Sequence, residues 1–301
     1  MKITDKLICA GLLPALMLGA CARRDEATLG TPANPLVVVL SPAYAPSAAG
    51  AEATLKKLLE KASGMTIELK LAASQGDAIR AFGSDRTDAG LMTLEEYLVA
   101  REEYGVRPEL QALRGKGEAS YDGVLLTRSK GGAPSVAALA GKKVGFVGPY
   151  SVSGFVLPAI YLEEAGVKPV PEFSASHAEN VARLLKGEVE AAATYGRQAS
   201  RPGLKVLAVT GKVPNEPLVT RHDLPQDKRE DLAEAFMALN STAEGRRALA
   251  SVADITGFRP ADAAVYRPLH ELLLSQGRPV YDLVPNGWEI YRLNQPYMPD
   301  R

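Results

Sequence analysis

The sequence predicts an α/β protein of two lobes, each a mostly parallel sheet flanked by helices. Three observations carry this. Short apolar, β-branched runs such as Leu36–Leu40 and Lys143–Val147 read as strands buried on both faces, the pattern of a parallel sheet. Segments of helical periodicity alternate with them, opened by Ser or Thr and closed by Gly. The loop Ser129-Lys130-Gly131-Gly132-Ala133-Pro134 interrupts this rhythm, which then restarts, so a second lobe begins there.

At the amino end, Lys2 and Lys6 flank the start of a twelve-residue apolar run, Leu7 to Leu18. A membrane-spanning helix needs roughly 20 such residues, so residues 1–20 read as an export signal that leaves the mature chain. The junction Leu18-Gly19-Ala20-Cys21 looks like a bacterial lipobox, with Cys21 as the lipid acceptor that holds the protein on a membrane. An ordinary signal with an incidental cysteine is the plainer alternative. Cys9 departs with the signal, so Cys21 is the only thiol of the mature chain and no disulfide forms within it. Residues 21–34, rich in small and polar types, then serve as a tether.

The first lobe takes residues 35–126. Strand Leu36–Leu40 leads to a helix from Ala51 to Ala62 that stops at Gly64, and Thr66–Leu71 is the second strand. Ser74 and Asp77 have capping spacing for a short helix ending near Gly83. Strand Ala89–Met92 precedes Thr93-Leu94-Glu95-Glu96, a capping box that opens a helix to Tyr104. Strands at Leu110–Leu113 and Tyr121–Thr127 follow. The second lobe takes 127–212, with strand Lys143–Val147, helix Ser153–Ala165, helix Ala178–Lys186 and strands Val189–Ala193 and Lys205–Val209. Val213-Pro214-Asn215-Glu216-Pro217 is a proline-stiffened return. Residues 213–301 complete the first lobe with helices at Gln226–Leu239, Ala243–Val252 and Ala261–Gln276.

Composition narrows the function. Removing Lys2, Lys6 and Asp5 from 35 basic and 35 acidic residues leaves 33 and 34, a mature charge of −1. Aromatic residues are 6% of the chain and basic runs are missing, which excludes nucleic-acid binding by stacking and phosphate neutralisation. Three histidines, His177, His222 and His270, supply a zinc site poorly, and no Walker loop is present. Pro149 and Phe155 occupy positions where a nucleophile elbow around Ser151 or Ser153 requires glycine. No catalytic site, metal or cofactor is expected, with an anchored hydrolase using Ser153 and His177 as the lesser alternative.

The informative stretch is Gly148-Pro149-Tyr150-Ser151-Val152-Ser153-Gly154-Phe155, a turn and a hydroxyl-rich helix start. The first turn of a helix carries unpaired N–H groups and the positive end of the helix dipole, which suits an anion. Ser151 and Ser153 add hydroxyls, and Gly154 lets a ligand approach the backbone. Ser151 has the plainer role of an N-cap open to it as well. Ser176-His177 starts a second helix of the same lobe, and parallel topology brings both helix starts to one cleft. His177 there is either solvated or a ring N–H donor to ligand.

Taken together, these residues resemble the phosphonate, phosphite and phosphate-like substrate-binding proteins of ATP-driven importers, from about Pro35 to Gln276. The marks are Leu40-Ser41-Pro42, Thr87-Asp88-Ala89-Gly90 ahead of the Tyr97 helix, and Tyr121-Asp122-Gly123-Val124. Leu139-Ala140-Gly141-Lys142-Lys143-Val144-Gly145-Phe146, Ser151-Val152-Ser153-Gly154-Phe155, Ser176-His177 and Pro214-Asn215-Glu216-Pro217-Leu218-Val219 complete them.

The resemblance implies a two-lobed periplasmic binding protein fold of type II, with hinge crossings near Leu125–Arg128 and Leu207–Pro214. It implies a small oxyanion in the cleft, no chemistry, and a monomer that partners either an ABC-transporter permease or, in a sensing role, a membrane receptor. The family's anion turn falls on Ser151, Val152 and Ser153, its cleft histidine on His177 and its cleft tyrosine on Tyr121. Tyr44 and Thr93 are expected on the opposite wall. Two positions depart: the turn's middle threonine is Val152, and an aspartate expected after strand Val189–Ala193 is replaced by Thr194 or Tyr195. A tyrosine at Tyr195 donates to a fully ionised ligand or stacks on its substituent, so the ligand is expected to differ from that of other members.

Overall fold

The computed structural model describes residues 24–291 apart from 45–49 and 85. Residues 1–20, expected to be an export signal, and Cys21 lie outside the described residues.

The elements run in the order β1 (Leu36–Leu40), α1 (Ala51–Ser63), β2 (Ile67–Leu71), α2 (Gln75–Arg80), β3 (Ala89–Leu91), α3 (Leu94–Tyr104), β4 (Arg107–Leu113) and β5 (Ser120–Arg128). Next come β6 (Lys143–Val147), a π turn at Val152–Val156, α4 (Leu157–Glu164), β7 (Val170–Ser174), α5 (His177–Lys186), β8 (Ala191–Tyr195) and β9 (Leu204–Pro214). The chain closes with β10 (Pro217–Thr220), α6 (Gln226–Ala238), α7 (Ala243–Ala253), β11 (Gly257–Pro260) and α8 (Arg267–Ser275).

Two sheets form, one of six strands in the order β11-β4-β10-β3-β1-β2 and one of five in the order β7-β6-β8-β5-β9. Each has a parallel trio, β2-β1-β3 and β7-β6-β8, and continues in antiparallel pairings through the strands that return between lobes. The trios carry the parallel pattern legible in the sequence. Strand alternation sorts the cores: Leu36, Val38 and Leu40 share a cluster with α1, α6 and α7, while Val39 faces another. In the second sheet, Leu125 faces one cluster and its neighbours Val124 and Leu126 the other.

Two expectations need correction. The first passage between lobes was placed at 126/127, inside β5, but β5 pairs along its whole length with β9, from Ser120↔Pro214 to Arg128↔Leu204, and so belongs to the second sheet. The passages are Arg114–Ala119 and Asn215–Glu216, each moved because hydrogen-bond partners distant in sequence decide which sheet owns a strand. They are stapled together: Asn215 is buried, its side chain donates to Ala112 O (3.0 Å) and Glu118 O (2.8 Å), and its N–H donates to Ala119 O (2.9 Å).

The second correction concerns the tether, which from Arg24 onward is packed on the first lobe. Arg24 donates to Asp88 (2.7 Å) and to the Pro35 carbonyl, Arg221 bonds both Asp88 (3.1 Å) and Glu26 (2.6 Å), and Leu29 is buried. The cause is Asp88, a fully buried carboxylate that requires cationic partners. Beyond these, strands β7 and β11 have no assignment in the sequence reading. Each is an edge strand bonded on one side only, where Pro171 and Pro260 are tolerated and mask the strand pattern.

Candidate functional site

The carboxyl ends of β6, β7 and β8 open on one edge of the second sheet, and antiparallel pairing brings the start of β5 to the same edge, with Gly123 opposite Tyr195. A cavity of about 810 Å³ lies there, lined from this lobe by Ser120, Tyr121, Ser153, His177, Tyr195 and Arg197. Arg114, Glu118, Asn215 and Glu216 of the passages and Asp254 of the first lobe complete the lining, so the hollow lies where the lobes join.

Each donor on this wall is fixed by local structure. Ser151 adopts an extended conformation and caps the turn, its hydroxyl accepting from Gly154 N–H (3.1 Å) and its carbonyl from Phe155 (2.9 Å) and Val156 (3.0 Å). This is the plainer of its two roles. Gly154 is required by packing, because an added Cβ would lie 2.7 Å from Val147 Cβ and 2.8 Å from Ser151 Oγ. Ser153 is buried and its hydroxyl meets that of Tyr121, whose pKa burial pushes well up. Tyr121 therefore keeps its proton as a neutral donor.

His177 opens α5 behind the Ser176 cap, which accepts from Glu179 N–H (3.2 Å). Its Nδ1 lies 3.0 Å from Thr194 Oγ1, and its ring stands edge-on to Tyr195 with centroids 4.9 Å apart. Burial lowers its pKa to about 4, so the imidazole is neutral at neutral pH. Tyr195 continues the row toward Tyr121 at 6.2 Å, and its oxygen accepts from Gln198 Nε2 (2.6 Å), which leaves its own proton to donate. Of the two residues in place of the expected aspartate, Thr194 holds His177 and Tyr195 faces the cavity.

The structure thus brings Tyr121, Ser153, His177 and Tyr195 together on the cavity, with Ser151 and Gly154 shaping the turn behind them. It does not bring Tyr44, Thr93 or the Val152 side chain there. Tyr44 is buried among first-lobe residues and donates to Met92 O (3.1 Å). Thr93 is occupied as the α3 cap, accepting from Glu96 N–H (3.2 Å). Val152, with Val156, Leu157 and Ile160, joins an apolar cluster with Met92, Tyr97 and Tyr266, a seam that packs the lobes beside the cavity.

The opposite wall is charged. Arg114 is ion-paired with Glu216, donates to Ala253 O (2.8 Å) and approaches Asp254 (3.8 Å). Glu95 reaches across from α3 and accepts from the Val152 N–H (3.3 Å). Sequence reasoning quoted Glu95 only as part of the capping box; Glu96 fills that role, accepting from Thr93 N–H (2.9 Å) and from Ser41 Oγ (2.8 Å). Among the described residues no group of three or more His, Cys, Asp or Glu is arranged to hold a metal, and no helix is long and apolar enough to cross a membrane.

Two α/β lobes joined by two short passages around a shared hollow define a periplasmic binding protein. The family model described as ABC transporter, phosphonate, periplasmic substrate-binding protein matches residues 38–266, and the chain belongs to that family. Membership implies an extracytoplasmic location, a small ligand and a membrane permease as partner. XAC2383 from Xanthomonas citri bound to ATP superposes with a TM-score of 0.66 at 19% identity, over 83% of this chain and 99% of that one. A binding protein component of an ABC phosphonate transporter from Pseudomonas aeruginosa gives 0.60 at 19%, over 81% and 87%. PhnD1 from Prochlorococcus marinus in complex with methylphosphonate gives 0.59 at 16%, over 81% and 98%. At these identities the three share its fold.

Proposed function

We propose that this protein is a lipid-anchored solute-binding protein that captures a phosphonate-like or related oxyanion between its lobes and hands it unchanged to an ABC importer. The observation that carries the reading is the convergence of Ser153, Tyr121, Tyr195 and neutral His177 on one cavity, four neutral hydrogen-bonding groups along a single wall. Neutral donors hold an anion without the cost of burying a fixed, unpaired cation.

A phosphonate is favoured over phosphate or phosphite, because a hollow of about 810 Å³ with a row of aromatic rings has room for an organic substituent beside the anionic head. The methylphosphonate held by PhnD1 and the ATP held by XAC2383 each join a phosphorus oxyanion to an organic group, in keeping with that preference. Ser153 and His177 have separate partners, Tyr121 and Thr194, so a nucleophile–base pair is not what this wall supports.

The test is a thermal-shift screen of a soluble form lacking residues 1–21 against methylphosphonate, aminoethylphosphonate, phosphite, phosphate and sulfate. A ligand at a hundred times its dissociation constant stabilises the folded state by about 2.7 kcal/mol. No shift with any phosphorus oxyanion sinks the reading. The anchor is tested separately: labelled fatty acid enters the full-length protein in cells and fails to enter Cys21→Ser.

A further inference from the structure

The turn meant for an anion already holds one. Val152 N–H, next in sequence to cavity-lining Ser153, donates to the carboxylate of Glu95, which belongs to the other lobe. Its own backbone N–H and Thr93 also bond this carboxylate, while Glu216 opposes its negative charge. Glu96 stands beside it on α3, Glu216 on the approach to β10 adds a second negative field, and the Tyr44 and Tyr121 hydroxyls nearby are held by Met92 O and by Ser153. Arg114, the nearby cation, is committed to Glu216. Burial is the largest influence and holds the Glu95 carboxyl above its ordinary range.

We propose that Glu95 is an internal competitor of the ligand, so that capture of an oxyanion proceeds with one proton shared between Glu95 and the ligand's oxygen. The inference rests on the oxyanion reading above. Two negative oxygens at the same donor cannot both stay ionised in a buried site, whereas a carboxyl and an oxyanion with one proton between them form a hydrogen bond. A singly charged ligand brings that proton with it, and Glu95 accepts from its O–H. A doubly charged ligand arrives without one, so Glu95 takes a proton from solvent and donates it. Sulfate, which brings no proton, is held at a disadvantage that grows with pH.

The experiment uses the full-length protein in detergent, as wild type and as Glu95→Gln, titrated calorimetrically with methylphosphonate and with sulfate from pH 5.5 to 8.5 in two buffers of different ionisation heat. Glu95→Gln is expected to bind methylphosphonate at least tenfold tighter at pH 8 and to gain sulfate binding. The difference in protons taken up, wild type minus variant, should approach one per ligand above the second pKa of methylphosphonate and vanish well below it. This difference cancels the ligand's own titration. Should Glu95→Gln fold poorly, Glu95→Asp keeps the charge but withdraws it from Val152, and the expected gain in affinity at pH 8 is smaller but of the same sign.

Equal affinity and equal proton uptake in wild type and variant overturn the proposal while leaving oxyanion capture standing. So does a lower melting point with no tighter binding, the signature of a merely structural latch. If no form binds methylphosphonate, phosphate or sulfate, the capture reading fails and this inference with it.

Discussion

The two walls of the cleft are built on different principles. The second lobe offers Ser153, Tyr121, Tyr195 and neutral His177, polar groups without net charge, placed by helix starts and strand ends. The facing side offers Glu95 and Asp254 of the first lobe with Arg114 and Glu216 of the passages, charges largely satisfied by one another or by backbone. On the proposed reading the difference is a division of labour: one wall would supply pre-oriented dipoles that stabilise an anion, and the other charge that decides which anion is admitted. If the division is real, damage to the two walls must have different signatures.

The largest effect is expected on the dipolar wall. Ser153→Ala with Tyr121→Phe removes two hydroxyls that meet each other, so neither is left as a buried orphan and the fold is retained. Each hydrogen bond to a charged ligand is worth about 1.5–3 kcal/mol, and losing both should weaken methylphosphonate binding about a hundredfold or more by calorimetry. Retained affinity in the double variant would move the site away from this wall. Ser151→Ala, by contrast, removes an N-cap and should show itself mainly as about 1 kcal/mol of lost stability.

Next in size is a pair of opposed pH dependences, one from each lobe. Burial pushes the Glu96 carboxyl from 4.5 up to about 7, so between those values the folded state binds more protons than the unfolded and stability falls as pH rises. Burial pushes His177 from 6.5 down to about 4, so there the folded state binds fewer protons and stability falls as pH drops. Each is worth about 3 kcal/mol across its window. The slopes oppose between pH 4.5 and 6.5, and only the Glu96 decline continues to about pH 7. Urea midpoints followed from pH 4 to 8 should therefore rise with pH in Glu96→Gln and fall with pH in His177→Gln. Parallel curves for the two variants would erase the contrast between lobes.

Asn215 binds the two walls to each other. Asn215→Ala leaves the Ala112 and Glu118 carbonyls without their side-chain donor in a buried passage, at a cost of about 2 kcal/mol in urea unfolding. A variant as stable as wild type would mean that water replaces the staple and that the passages are looser than they look.

How much of this was legible in the sequence follows the same division. Strands such as β1 and β6 declare themselves because burial on both faces demands an unbroken apolar run, and the helix start after β6 places Ser153 at the carboxyl edge of its sheet, whereas His177 follows β7. The edge strands β7 and β11 are hidden because they are bonded on one side and contain proline. On the first-lobe wall, the family resemblance pointed to the strand ends at Tyr44 and Thr93 but could not say that both side chains are spent internally. Nor does a capping box distinguish its two carboxylates: Glu96 turns back to the helix and Glu95 turns to the other lobe, a choice made by contacts between lobes.

The smallest effect is expected where charges meet across the mouth of the cleft. Arg197 of the second lobe lies 3.7 Å from Asp254 of the first, and both side chains are largely exposed. Such pairs are screened by solvent and salt and carry little energy. Arg197→Ala should leave both the melting point and methylphosphonate affinity unchanged within error. A loss of affinity approaching that of the Ser153 and Tyr121 double variant would mean that a fixed cation does part of the capture, and the separation between a dipolar wall and a charged one would no longer describe this cleft.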